Sequence, residues 1–111
     1  MKREKMGSYR LTEHAKEDLK RIYFRGLEHF GEAQADKYYN ALFEQFEKIA
    51  RDPLHYQSVD FIREGYRRSV CGADSIFYRI QDIDCVEIIA IIGRQDIKHW
   101  LEKQEHIKRA I

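Results

Sequence analysis

Nowhere in the 111 residues is there a run of about 18 apolar residues, and the charged opening Met1-Lys2-Arg3-Glu4-Lys5-Met6 is not followed by the apolar core of a signal peptide. A membrane association is therefore not expected, and a cytoplasmic protein is. A surplus of one charge is equally missing, because 20 Lys and Arg stand against 19 Asp and Glu, a net charge of +1. No global field draws the chain onto nucleic acid, so anion binding has to come from local clustering, and direct sequence-specific nucleic-acid binding is not expected. Cysteine is scarce: Cys71 and Cys85 have neither CxxC spacing nor a neighbouring paired histidine, and in a cytosolic chain they read as reduced structural thiols, although they could be close across a sheet. The five histidines (His14, His29, His55, His99, His106) are scattered without the spacing of a metal site, so neither a metal nor a cofactor is expected. Internal repeats and low-complexity segments are absent too.

What the chain does have is a 43% hydrophobic, 13% aromatic composition, enough for one packed core. One domain is expected over residues 8–101, with polar tails at 1–7 and 102–111. Ser8 to Thr12 reads as a short strand with Tyr9 and Leu11 on one face. From Glu13 to Phe30 the residues Ala15, Leu19, Ile22, Tyr23, Gly26, Leu27 and Phe30 recur at three and four, the helical period, with Thr12 placed to cap and Gly31 to terminate. Ala35, Tyr38, Tyr39, Leu42, Phe46, Ile49 and Ala50 repeat that spacing up to Pro53, the only proline. With almost no linker, the two helices must fold back as an antiparallel hairpin. Strands are expected at about 61–70, 74–81 and 85–93. The last is apolar on both faces and so belongs inside the sheet with cover on both sides. A short helix carrying Ile97, Trp100 and Leu101 follows, with Asp96 as its N-cap. The order implies an α+β domain in which an N-terminal strand and a helical hairpin pack on a small, mainly antiparallel sheet.

The stretch Phe61 to Ile80 interleaves arginines with apolar residues. Because a strand sends alternate side chains to opposite faces, one face of this hairpin is expected to be oily and the other to carry a row of guanidiniums. Arg63, Arg67, Arg68 and Arg79, with Arg94 and Trp100 from the following segment, are the candidate contact surface. Salt-bridged, solvated arginines are the plain alternative at any one position. Exposed ion pairs contribute only about 0–1 kcal/mol each, however, so stability alone is a poor reason for so many arginines. Planar bidentate recognition of carboxylates or phosphates is a better one. Phe24 and Phe43 lie outside the narrow apolar stripes of their helices and are candidates for lining a groove that takes an amphipathic partner helix. Trp100 reads most simply as a lid on the core.

Metal-independent RNA cleavage would require a base, an acid and cations for the phosphorane charge. The arginines supply the cations, but no histidine or glutamate falls among them. Tyr78, read as half-buried in its strand, and His99, read as exposed on the last helix, are the nearest proton carriers.

Several of these residues also carry a resemblance. Leu11-Thr12 with Ala15, Asp18, Leu19 and Ile22, then Phe30-Gly31, then Ala35, Tyr38, Leu42, Ala50 and Pro53, then Ile62 to Arg68, Gly72, Ile76-Phe77-Tyr78 and the strand Ile89 to Ile92 leading to Asp96 resemble the ParE toxins of the RelE/ParE superfamily. The resemblance covers residues 8 to 101. It implies a toxin that inhibits DNA gyrase without an active site of its own and is neutralised by a ParD-like antitoxin. The RelE branch is instead a ribosome-dependent mRNA endoribonuclease, usually with a functional tyrosine or histidine near the C-terminus. The segment Gly93 to Leu101 has no tyrosine, which favours the ParE branch, while Gly93 and Gln95 depart from the histidine and methionine usual there.

Overall fold

Thr12 joins the first two elements and ties them to a third. In the computed structural model, which describes residues 7–110, strand β1 (Ser8–Leu11) ends one residue before helix α1 (Glu13–Phe30). The Thr12 hydroxyl oxygen accepts from Ala15 N at 3.0 Å, the expected N-cap, and its proton goes to Ile89 O at 2.8 Å. Gly31, at φ +87°, ends α1 and lets α2 (Glu32–Arg51) start at once, so the hairpin is closed by a single residue. The remaining elements are β2 (Gln57–Ser58), β3 (Tyr66–Cys71), β4 (Asp74–Asp82), β5 (Cys85–Gly93), a 3-10 turn (Arg94–Asp96) and α3 (Ile97–Ala110).

The strands form one mixed sheet in the order β1-β5-β4-β3-β2, with β1 parallel to β5 and the other pairs antiparallel. As its composition required, β5 lies inside the sheet and is covered on both faces. The helical hairpin covers the first face, where Leu19, Ile22, Leu42, Phe46 and Ile49 meet Ile76, Tyr78, Val86, Ile88 and Ile91. On the second face Val59, Ile62, Phe77, Ala90 and Ile92 gather under Trp100, whose ring stacks on Phe77 at 4.5 Å and 28°.

A β-bulge lets one apolar strand serve both cores. Phe77 pairs with Ala90 but Tyr78 pairs with Ile88, so Ile89 is the extra residue. Val86 and Ile88 point at the hairpin, while beyond the bulge Ala90 and Ile92 point at Trp100. Strict alternation would have put all four on one face.

β1 stops pairing at Leu11↔Ile88, so the outer edge of β5 beyond that point has no neighbouring strand. Side chains of α1 take its place. Buried Asp18 accepts Ile91 N at 2.9 Å, and Arg21 Nη2 donates both to Ile91 O and to Asp18 Oδ1 at 3.1 Å. His14 Nδ1 lies 3.0 Å from Asp18 Oδ2. A helix thus satisfies the backbone groups of an open sheet edge.

The expected strand from residue 61 begins only at Tyr66. Residues 59–65 form turns instead, held by Ile62 N to Val59 O at 2.9 Å and Gly65 N to Asp60 Oδ1 at 2.8 Å. The alternation that suggested a strand reflects real burial of Ile62, but in a loop. The two-residue β2 is too short to leave a periodic signal. Asp96 closes the 3-10 turn that leads directly into α3 rather than standing alone as a cap. Helix α3 continues to Ala110 through the stretch expected to be a tail. Residues 1–6 of the other expected tail lie outside the described residues.

Two tyrosines lock the first face. Tyr78, with no exposed surface, donates its hydroxyl to Pro53 O at 2.5 Å. The Tyr38 hydroxyl lies 2.6 Å from Asp74 Oδ2 and 2.7 Å from Cys71 O. Gly72, at φ +58°, is needed here because a Cβ would sit 2.7 Å from the Tyr38 ring.

Removing the edge clamp should be costly. Asp18→Ala leaves the buried Ile91 N–H without an acceptor and is expected to lower unfolding free energy by about 2–3 kcal/mol in urea titrations, whereas Lys16→Ala, on the exposed side of the same helix, should stay within about 0.5 kcal/mol. Alkaline stability provides a second check. Burial pushes the Tyr78 hydroxyl above its ordinary value of 10.0, and burial with the Asp74 hydrogen bond does the same to Tyr38. Above pH 10 the unfolded chain therefore gives up protons that the folded one keeps, so their stabilising contribution is full below pH 10 and falls as pH rises, by about 1.4 kcal/mol per unit for fully buried Tyr78. Tyr78→Phe should flatten that slope in denaturation curves taken between about pH 9 and 11.

Candidate functional site

Arg67 and Arg68 are neighbours on β3 and so must point to opposite faces. Arg67 pairs across the ladder with Tyr78 and lies on the hairpin side, where Nη1 donates to Tyr56 O at 2.7 Å. Arg68 is opposite Phe77 on the second face and donates from Nε to Ser75 Oγ at 2.9 Å. Arg79 shares that face. Arg63 is not on a strand at all: it sits half-buried in the 59–65 turns, where its carbonyl accepts from Tyr66 N at 3.0 Å. The expected single row of guanidiniums is therefore split between two faces and a loop.

What the second face carries instead is a charge ladder across three strands. The register aligns Arg10 of β1 with Glu87 of β5 and Glu87 with Arg79 of β4. Glu87 accepts Arg79 Nε at 2.7 Å and lies 3.3 Å from Arg10 Nη2, with only 13% of its side chain exposed against 44% and 54% for the two arginines. Neither Arg10 nor Glu87 had a signal in its local sequence, because only the parallel β1–β5 pairing brings them together. The ladder is cationic by one charge. An incoming anion reaches Arg79 only in competition with a carboxylate already bound through the guanidinium Nε.

Arg94 is exposed in the 3-10 turn, whose first N–H is held by Ala73 O at 3.1 Å. Trp100 is not beside it on the surface. It is 8% exposed and stacked on Phe77 in the second core, where it holds α3 on the sheet. Of the two proton carriers, His99 is exposed on α3 as expected, but Tyr78 is fully rather than half buried and faces the hairpin, away from Arg68 and Arg79. Its hydroxyl is committed to Pro53 O.

The groove residues also separate. Phe43 is half-buried against Tyr39 and Phe46, with ring centroids 5.0 and 5.2 Å away, as part of the rim of the first core. Phe24 is 61% exposed and borders a cleft of about 310 Å³ between α1 and α2, lined also by Lys20, Tyr23, Asp36 and Tyr39. Both tyrosines fall in the apolar spacing of their helices, and Asp36 carries no signal of its own in the sequence. Cys71 and Cys85 are free and half-buried at opposite ends of the sheet, Cys71 paired in register with Asp74 and Cys85 with Ser8 and Asp82. Burial, with Asp74 nearby, pushes the Cys71 thiol up, so it is held as a thiol. Among the described residues no group of His, Cys, Asp or Glu is placed to hold a metal ion, and no helix is long and apolar enough to cross a membrane.

A helical hairpin on one face of a five-stranded mixed sheet, with a C-terminal helix over the other face, defines a RelE/ParE-like α+β toxin fold. The same architecture is found in a chromosomal ParDE toxin–antitoxin system from P. aeruginosa (TM-score 0.69, 21% identity, covering 79% of this chain and 96% of that one). It is found again in the toxin–antitoxin complex RelBE2 from Mycobacterium tuberculosis (TM-score 0.57, 23% identity, covering 79% and 98%). Within that fold the family is specific. The model described as ParE toxin of type II toxin-antitoxin system, parDE, matches residues 9–98, and the chain belongs to that family. Toxin ParE1 of Caulobacter vibrioides is 37% identical over 75 residues, 68% of this chain and 78% of that protein. Toxin ParE1 of Mycobacterium tuberculosis is 26% identical over 87 residues, 78% and 89% respectively.

The ladder makes a measurable statement about polyanions. Glu87→Gln should free Arg79 and Arg10 and raise affinity for heparin by about tenfold at low salt, with a salt slope steeper by about one to two. Adding Arg10→Gln and Arg79→Gln together should abolish the gain, and Glu44→Gln, on exposed α2 surface, should change affinity less than about twofold.

Proposed function

We propose that this chain is a toxin that acts by binding rather than by catalysis: it inhibits DNA gyrase in the cytoplasm and is neutralised by a ParD-like antitoxin. The family match over residues 9–98 carries this reading. The geometry supports its non-catalytic part, because the Tyr78 hydroxyl is buried and committed to Pro53 O, Arg67 on the same face donates to Tyr56 O, and Arg68 and Arg79 lie on the opposite face. The exposed Arg94, with Arg68 and Arg79 on the second face, is the proposed target surface, and Trp100 acts there by positioning α3. The hairpin face around Phe24 is the proposed antitoxin surface. An antitoxin segment that is disordered alone would offset its ordering by burying an apolar face there.

The second reading is a ribosome-dependent mRNA endoribonuclease of the RelE type. It is favoured by one observation, the cationic ladder of Arg10 and Arg79 beside Arg68 on the partly open sheet face. The two readings separate on induction in cells. A gyrase inhibitor should stop supercoiling of a reporter plasmid before translation falls. Tyr78→Phe and His99→Ala, matched for expression and folding, should each keep growth inhibition within a few-fold of the parent, where loss of a general acid or base would cost about 10²–10⁴-fold. Loss of toxicity together with loss of cleavage of ribosome-bound mRNA in either variant would replace the first reading with the second.

A further inference from the structure

The cleft on the hairpin has a chemistry that neither its exposure nor its volume conveys. Three of its five lining residues are aromatic and a fourth is a carboxylate. Tyr23 stands 5.3 Å from Tyr39 at 64° and 6.0 Å from Phe24 at 65°, so the rings are turned steeply against one another rather than stacked flat. Asp36 Oδ1 accepts the Tyr23 hydroxyl at 2.6 Å, which ties the carboxylate to the ring at the centre of the group. Aromatic faces carry negative quadrupole density, and a carboxylate beside them adds a full charge. The hydrogen bond to Asp36, then burial, then the charges of Asp36 and Glu32 hold the Tyr23 hydroxyl above its ordinary value, in keeping with a negative local field. The one cation in the lining, Lys20, has Glu17 Oε2 3.9 Å from its Nζ.

We propose that this cleft receives a single basic side chain of a partner segment, arginine in preference to lysine, between the rings of Tyr23, Phe24 and Tyr39 and the Asp36 carboxylate. Charge complementarity selects the occupant. An aliphatic side chain would gain only from burial, an acidic one would meet Asp36 and Glu32, and a planar guanidinium can stack on a ring while donating to the carboxylate. The proposal rests on the partner-binding reading only in supposing that the basic residue is carried by a protein segment crossing the hairpin. The preference of the cleft itself is independent of the toxin's target.

The test uses the purified full chain and three amides of nearly equal size, N-acetyl-arginine amide, its neutral isostere N-acetyl-citrulline amide, and N-acetyl-norleucine amide, followed by NMR shifts of the aromatic protons. The arginine amide should give saturable shifts at Tyr23, Phe24 and Tyr39 and bind about fivefold tighter than the citrulline amide. Asp36→Asn, an exposed substitution that keeps an acceptor for Tyr23, should erase that difference, and Phe24→Ala should weaken the arginine amide by about threefold. Equal binding of citrulline or norleucine would overturn the proposal, as would an arginine preference unchanged by Asp36→Asn. Such a failure would leave co-purification with an antitoxin untouched, whereas failure of the toxin reading would leave the arginine preference standing.

Discussion

The carboxylate of Asp18 is the point at which this fold is joined. β5 is the strand both cores depend on, and its outer edge beyond Ile88 has no strand beside it. An unsatisfied N–H there would carry a desolvation penalty comparable to a lost hydrogen bond and would offer a template for edge pairing. Asp18 accepts that N–H, Arg21 takes the matching carbonyl, and Thr12 takes the carbonyl of the bulge residue Ile89. Two α1 side chains and the N-cap Thr12 thus set where the hairpin lies on the sheet. The apolar packing of Leu19, Ile22 and Phe46 then follows from that placement.

Once the hairpin is placed, the two faces of the sheet have different tasks. The first is sealed: Tyr78 is bonded to the chain after α2, Tyr38 ties the same helix to the β3–β4 turn, and Arg67 reaches the carbonyl of Tyr56. The second is only partly covered, by Trp100 and its neighbours near the C-terminal half of β5, and leaves Arg10, Glu87 and Arg79 at the other end. Surface ion pairs of this kind contribute little to stability. Their effect is on what can approach. A carboxylate already engaged with two guanidiniums leaves an incoming anion to compete for Arg79.

Much of the scaffold was legible in the residues. The three-and-four spacing gave α1 to the residue, its Thr12 and Gly31 ends included, and α2 as a run ending before Pro53, because caps and periodicity are local signals. The two-faced apolar content of β5 announced an interior strand. The start of β3 was not legible, since Phe61, Ile62 and Arg63 alternate as a strand would but are bent by Gly65 and Asp60 into turns. The bulge at Ile89 was equally hidden, because an unbroken apolar run looks the same whichever face each residue takes.

Family membership and the order of the main elements were determined by the sequence by itself, since both rest on which residue types recur at which spacing. Which arginines act together was decided only by the tertiary structure. Residue parity alone separates Arg67 from Arg68, but a ladder of Arg10, Glu87 and Arg79 requires β1 to return, parallel, beside a strand more than seventy residues later. The cleft is of the same kind: Tyr23 and Phe24 come from one helix, Asp36 and Tyr39 from the other, and only the closed hairpin sets their rings and carboxylate around one space. Local patterns report what each segment buries; contacts between segments decide which charged and aromatic groups remain at the surface together.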